Sequence, residues 1–193
     1  MNLLGIDTET TGLHSTSNLL TLYMGLYVDN VLVSELDLKV KPNPETSERG
    51  QRPLYSVQAD ALAVNGINLV QHDLEAIPYR DAKKTIGSWL QDNYARYGMM
   101  IPFGNIVSGD VSKICECTVQ RVTWDNFVDR RVIELTGIGR GLQLKGKIPM
   151  NQSLSLSKIA KYFDIEIEDG LLHTARYDVE LGYRVLQKYL DLM

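Results

Sequence analysis

An α/β fold, a mixed β-sheet flanked by α-helices, is the class this chain predicts, because strand-forming stretches crowd its first forty residues while helical periodicity fills most of the rest. Three observations carry that expectation. Asn2-Leu3-Leu4-Gly5-Ile6 is a short apolar run that reads as a strand. Residues 19–28 and 31–40 read as two more strands, joined at Asp29-Asn30, a dipeptide suited to a tight hairpin turn. Near the end of the chain Val179, Tyr183, Leu186 and Leu190 recur at helical spacing. With 193 residues and 44% hydrophobic content, the chain suits one compact domain spanning residues 1–193.

The remaining elements follow from punctuation and periodicity. Residues 41–53 gather Pro42, Pro44, Gly50 and Pro53 and predict an irregular surface excursion. A short helix is expected over 56–64, ended by Asn65-Gly66, and a longer one over 79–97, stopped by Gly98. Residues 99–103 form a brief apolar run ending in Gly104-Asn105, consistent with a buried strand, and a helix over 108–119 follows. Another short strand is expected at 127–129, then helices over 131–135, 154–163 and 174–190, with Ser153 as the cap of the second of these. Gly137-Ile138-Gly139-Arg140-Gly141 superficially resembles a phosphate-cradling loop. It lacks the Lys-Ser/Thr of that motif and reads as a flexible turn, with Lys145 and Lys147 on solvated surface beyond it.

Composition narrows the function classes. Twenty Lys and Arg against 24 Asp and Glu leave a net charge of −4, so the chain lacks the global basic field of proteins that coat duplex nucleic acid. An enzyme gripping a few nucleotides at one end is not excluded, since bound metal ions can supply local positive charge. No apolar run approaches about 18 residues and the start lacks a signal-peptide pattern, so a soluble cytoplasmic protein without membrane association is expected. The two cysteines, Cys115 and Cys117, stand two apart in an expected helix, point in different directions, and read as reduced core thiols rather than a disulfide or a zinc set. His14 and His72 lie in polar surroundings and read as solvated.

The chemistry-bearing residues are acidic. Asp7 and Glu9 stand at i and i+2 where the first strand ends, on the same face and about 7 Å apart along the chain. Like charges this close call for a metal, a proton or a basic partner; standing alone, the pair would read as a solvated turn. Asp110 repeats the pattern, at the start of the helix that follows Gly104-Asn105. At the head of the last helix His173 precedes Asp178 by five residues.

Taken in order, these segments resemble the DnaQ-like, or DEDDh, family of 3'-to-5' exonucleases. Gly5-Ile6-Asp7-Thr8-Glu9-Thr10-Thr11-Gly12-Leu13 resembles the family's first motif, Phe103-Gly104-Asn105-Ile106-Val107-Ser108-Gly109-Asp110 its second, and His173 to Asp178 its third, in the histidine form. Ala63-Val64-Asn65-Gly66-Ile67 is similar to a segment that in this family lies beside the terminal nucleotide. The chain departs from the pattern at Ser108-Gly109, where many relatives carry an aromatic residue or glutamine directly before the acid.

The resemblance implies an RNase H-like fold and hydrolysis of phosphodiester bonds at the 3' end of single-stranded nucleic acid, releasing nucleoside 5'-monophosphates. DNA is the favoured strand, although the spacing from Asn105 to Asp110 is more similar to the oligoribonuclease and RNase T branch. It implies two divalent ions, Mg²⁺ or Mn²⁺, which suit oxygen-only ligands. Asp7 would bridge the ions, Glu9 and Asp178 would complete the one carrying the nucleophile, Asp110 would ligate or orient waters, and His173 would be the general base. Thr8, Thr11, Gly12 and Leu13 are implied contacts of the terminal nucleotide; Leu13 would wedge between bases or pack in the core. Asn65, Gly66 and Ile67 would line the base pocket, and Asn105 would position phosphate or cap its turn. The implied partners are single-stranded DNA or RNA 3' ends, and a polymerase or replication complex if the role is proofreading. The rival readings are an exoribonuclease of the oligoribonuclease type and a catalytically silent nucleic-acid or polymerase-binding module of the same fold.

Overall fold

Alternation along the first strand decides how the layers assemble. In the computed structural model, which describes residues 1–12, 14, 17–42, 57–168 and 170–193, strand β1 covers Asn2–Thr10. Successive side chains of a strand point to opposite faces. Leu4 and Ile6 therefore enter one core, with Leu22, Met24 and Leu26, while Leu3 enters another, with Tyr23, Tyr27 and Phe103. Strands β2 (Leu19–Val28) and β3 (Val31–Lys39) extend the sheet antiparallel to β1. Asp29 and Asn30 between them have φ of 48° and 68°, the left-handed pair that a two-residue hairpin turn requires.

On the other side of β1, β4 (Ile101–Gly104) and β5 (Ile133–Glu134) pair in parallel, giving the order β3-β2-β1-β4-β5 and the mixed sheet expected from the sequence. Helices α1 (Ala59–Asn65), α2 (Leu69–Glu75) and α3 (Tyr79–Tyr97) precede β4, with Gly66 and Gly98 as the caps of α1 and α3. Helices α4 (Val107–Cys117) and α5 (Arg121–Trp124) follow β4. Ile86 and Leu90 of α3, Val111 and Ile114 of α4 and Trp124 close the Leu4–Ile6 core. Helices α6 (Leu135–Leu144), α7 (Leu156–Tyr162) and α8 (Ala175–Leu192) cover the opposite face, through Leu142, Ile159, Val179, Val185 and Tyr189. Among the described residues no helix is long and apolar enough to cross a membrane.

Several local expectations are corrected. Residues 127–129 do not form a strand; Val128 makes one isolated bridge to Met100. The helix expected over 131–135 is instead β5 running directly into α6, and the glycine-rich turn expected at 137–141 lies inside α6. Gly139 explains this: a Cβ there would collide with Tyr189 and Leu154, so close packing of α6 outweighs the low helix propensity of glycine. Helix α7 starts after Ser155 rather than Ser153, and neither α2 nor α5 was anticipated. His72 is buried rather than solvated, its Nε2 2.9 Å from the Leu20 carbonyl oxygen. Cys115 and Cys117 are free and half-buried at the end of α4. Most of the excursion expected at 41–53 lies outside the described residues.

Candidate metal and nucleic-acid site

Two elements bring the acids together. The pleat turns Asp7 and Glu9 towards the face covered by α8, while Thr8 points to the α4 side. Helix α8 can lie close to β1 because residue 5 is glycine; a Cβ there would collide with Val179 Cγ1 and come within 2.8 Å of Phe103 Cζ. Val179 is the residue after Asp178, so this close approach lies one residue from the Asp178 carboxylate. Asp7, Glu9 and Asp178 each offer an oxygen within 4.8 Å of the other two.

Asp110 reaches the same place from the first turn of α4. Its Oδ1 accepts from the Thr8 backbone N–H at 3.1 Å and from the Thr8 hydroxyl at 2.6 Å. It is therefore tied to β1 between the two acids, one hydrogen bond outside the tight group of three.

Burial, then the charges of Asp110, Glu9 and Asp178, push the Asp7 carboxyl well above the usual range. Burial and the Asp178 charge push Glu9 up to about 8, opposed by a hydrogen bond from Asn65. Asp110 is raised to about 6 by burial, with the Thr8 hydrogen bonds pulling the other way and Glu134 adding to the rise. Asp178 is raised as well, by burial, partly offset by His173. Carboxylates crowded and raised in this way suit a neighbouring cation. The donor set is all oxygen, and Asp178 Oδ1 and Asn105 Oδ1 are buried acceptors with no protein donor. A hard divalent ion such as Mg²⁺ or Mn²⁺ fits these residues.

The cluster borders two adjoining clefts. One, of about 340 Å³, is lined by Asp7, Thr8, Asn105, Asp110 and Lys113 among others. The second, of about 460 Å³, is lined by Glu9, Gln58, Val64 and Asn65 among others, and Thr8, Thr10 and Gly12 border both. His173 is exposed just before α8, with a left-handed backbone φ of 63°. A bulky residue holds that conformation at a cost of about 1 kcal/mol or more, so the surrounding chain fixes it there.

The sequence-derived nucleotide contacts divide. Thr8, Gly12, Asn65 and Asn105 line the clefts. Thr11 is turned inward, its hydroxyl accepting from the Asn18 N–H at 2.8 Å. Gly66 caps α1, and Ile67 lines a separate small cavity beside His72. Leu13 lies outside the described residues. Asn65 also braces the site, donating to the Thr10 carbonyl oxygen at 3.1 Å while its own side-chain oxygen accepts from Ile67 N. Phe103 is fully buried in the core.

Sequence reasoning missed the residues that hold these acids in place. Tyr23, directly across the ladder from Asp7, donates to Glu35 Oε2 at 2.8 Å, and Arg176 Nη2 donates to the same oxygen at 2.9 Å while its guanidinium stacks over the Tyr23 ring. This cluster ties the first turn of α8 to β2 and β3. Only the Arg176–Glu180 pair carries a sequence signal, its i,i+4 spacing; the contact to Glu35 spans 141 residues. Glu134, at the tip of β5, accepts from the Ser108 N–H at 3.0 Å. Lys113 was also missed, although it stands one helical turn after Asp110.

Solved structures that match this fold include nucleases. Escherichia coli exonuclease I in complex with a dT13 oligonucleotide matches with a TM-score of 0.69 and 16% identity, over 98% of this chain and 40% of that one. Cell-death related nuclease 4 matches with a TM-score of 0.73 and 16% identity, over 99% of this chain and 64% of that one. The nuclease domain of 3'hExo, a DEDDh family member bound to rAMP, matches with a TM-score of 0.68 and 16% identity, over 98% of this chain and 92% of that one. The fold is thus the RNase H-like fold of the DnaQ-like, DEDDh exonucleases. The chain spans 40% of exonuclease I and 64% of cell-death related nuclease 4. No protein-family model matches it, and no curated protein matches it significantly.

Proposed function

We propose that this chain is a metal-dependent 3'-to-5' exonuclease acting as a single domain on single-stranded nucleic acid and releasing nucleoside 5'-monophosphates. The observation that carries the reading is the convergence of Asp7, Glu9 and Asp178 within 4.8 Å, with Asp110 bonded to Thr8 between the first two, beside open clefts. The single-domain reading is supported by the match to 92% of the 3'hExo nuclease domain.

Asp7, Glu9 and Asp178 would hold divalent ions, and Asp110 would ligate or orient their waters. Bound ions of this kind acidify water and offset charge on phosphoryl oxygens. The chain's own groups supply the rest. His173, exposed and five residues ahead of Asp178, accepts the proton of the attacking water. Thr8, Thr10, Gly12 and Asn105 offer polar groups along the cleft for the terminal nucleotide and its phosphate.

A single-stranded substrate is favoured because a net charge of −4 leaves little to grip a duplex backbone. DNA remains the preferred strand in this reading, with an exoribonuclease as the alternative: the matched structures include one with dT13 and one with rAMP. Single-stranded DNA and RNA oligomers labelled at either end, incubated with Mg²⁺, Mn²⁺ or a chelator, test it. Stepwise loss from the 3' end that the chelator abolishes is expected. Shortening from the 5' end, or activity indifferent to chelation, would contradict the proposal.

A further inference from the structure

A groove of about 860 Å³ runs between α3 and the end of α4, against about 340 Å³ for the cleft at Asp7 and Asp110. One wall is a single stripe of α3, with Arg80, Lys83, Lys84, Gly87 and Gln91 at helical spacing. All three cations are exposed. Lys83 has no carboxylate partner among the described residues, and Lys84 reaches only the exposed Asp81, at 3.9 Å. Gly87 leaves this wall bare, since a Cβ there would meet nothing within 4 Å. A glycine inside a helix costs about 1 kcal/mol relative to alanine, and no close packing requires this one. Across the groove stand Glu116, Thr118 and Phe127. Glu116 is the one carboxylate among the described lining residues, and Lys113 Nζ already meets it at 3.3 Å. Helix α4 joins the groove to the acids: Asp110 and Lys113 line the cleft at Asp7, and Glu116, one turn beyond Lys113, lines the groove. The six-residue step from Asp110 to Glu116 rises only about 9 Å.

We infer that this groove holds the 5'-ward part of the substrate strand: the 3' end lies at the carboxylates, the strand passes Lys113, and the phosphates behind it meet Lys83 and Lys84 along α3. The inference rests on reading the chain as a 3'-to-5' exonuclease. A nucleic-acid strand is the occupant because its charge is opposite to that of the α3 wall, and because a strand whose end is held in the neighbouring cleft enters the groove directly. Strands too short to leave the first cleft do not reach Lys83 and Lys84.

Fluorescence anisotropy of a labelled single strand of about 16 nucleotides, titrated with the full chain in chelator at several salt concentrations, tests it. Lys83→Ala combined with Lys84→Ala should weaken binding about tenfold or more near 0.1 M salt, and make the slope of log affinity against log salt shallower by about 1.4. Gly87→Phe keeps every charge, fills the groove and should weaken binding as well. Both proteins should unfold at or above the wild-type midpoint, since the lysines are exposed and phenylalanine suits a helix better than glycine. Hydrolysis of a dinucleotide in Mn²⁺ should be unchanged in both, because that substrate ends before the groove. A wild type that fails to bind the strand in chelator, or variants that bind it like wild type, would overturn the inference. So would a polyglutamate peptide that binds the wild type as tightly as the strand does, which would make the groove a protein-docking surface. A wild type that binds the strand through these residues yet leaves the dinucleotide intact would count against the exonuclease reading alone.

Discussion

Replacing Glu9 with glutamine should make the metal-free protein more stable. The Glu9 carboxyl rises from 4.5 to about 8 in the folded chain, through burial and the neighbouring Asp178 charge. A raised acid binds its proton more tightly folded than unfolded, so its contribution to stability falls as pH climbs through the window from about 4.5 to about 8. At pH 7 the folded group is still mostly protonated while the unfolded one has ionised, a difference of roughly 2.5 pH units or about 3 kcal/mol. Solvent screening of a partly enclosed group reduces this to about 1–3 kcal/mol. Glu9→Gln escapes the penalty, which for a chain of this size corresponds to a midpoint higher by about 2–10 °C in chelator. Thermal unfolding at pH 5, 7 and 9 should show the wild type losing stability with rising pH and the variant losing less. Mn²⁺ should reverse the ranking, because the cation neutralises the wild-type charges and has one ligand fewer in the variant. A wild type whose metal-free stability is flat from pH 5 to 9, or a variant less stable than wild type in chelator, would refute the reasoning.

The other expectations concern the groups that position the acids. Gly5→Ala places a methyl against Val179 and Phe103 and should cost about 1–3 kcal/mol by chemical denaturation, with weaker Mn²⁺ binding as α8 and Asp178 are pushed away from β1; an unchanged Mn²⁺ affinity would show that α8 does not set the Asp178 reach. Thr8→Val deletes the hydroxyl donated to Asp110, whose carboxyl should then rise above about 6, so activity should fall more at pH 6 than at pH 9; a uniform fall would contradict the link. Arg176→Ala and Glu35→Gln break a half-exposed pair, so each should cost less than about 1 kcal/mol in stability, yet both should lower kcat non-additively because they release the first turn of α8. Strict additivity in kcat would separate that cluster from the site.

Asp7 and Glu9 were legible because one strand carries both, and a strand's two-residue period alone places them on one face. Asp178 was legible as an acid in the first turn of a helix whose apolar period is plain in the sequence. Glu134 was not: it belongs to a two-residue strand whose existence depends on pairing with β4, and its partner Ser108 lies 26 residues away. The Tyr23–Glu35–Arg176 cluster joins three separate elements and leaves no local trace. Helix α6 was hidden by Gly137, Gly139 and Gly141, whose unfavourable propensity is overridden by contacts with α8 that no local window contains. His72 looked solvated among polar neighbours because the carbonyl that receives it, Leu20, comes from a distant strand.

The central claim is that Asp7, Glu9, Asp178 and Asp110 form a divalent-metal site that cleaves nucleic acid from its 3' end. Its most direct test compares wild type and Asp7→Asn, prepared identically, on a 5'-labelled single-stranded oligomer in Mn²⁺. The account predicts a ladder shortened one nucleotide at a time, with 5'-mononucleotides released by the wild type, and no shortening by a variant that remains folded. A folded Asp7→Asn that degrades the oligomer at the wild-type rate would contradict it.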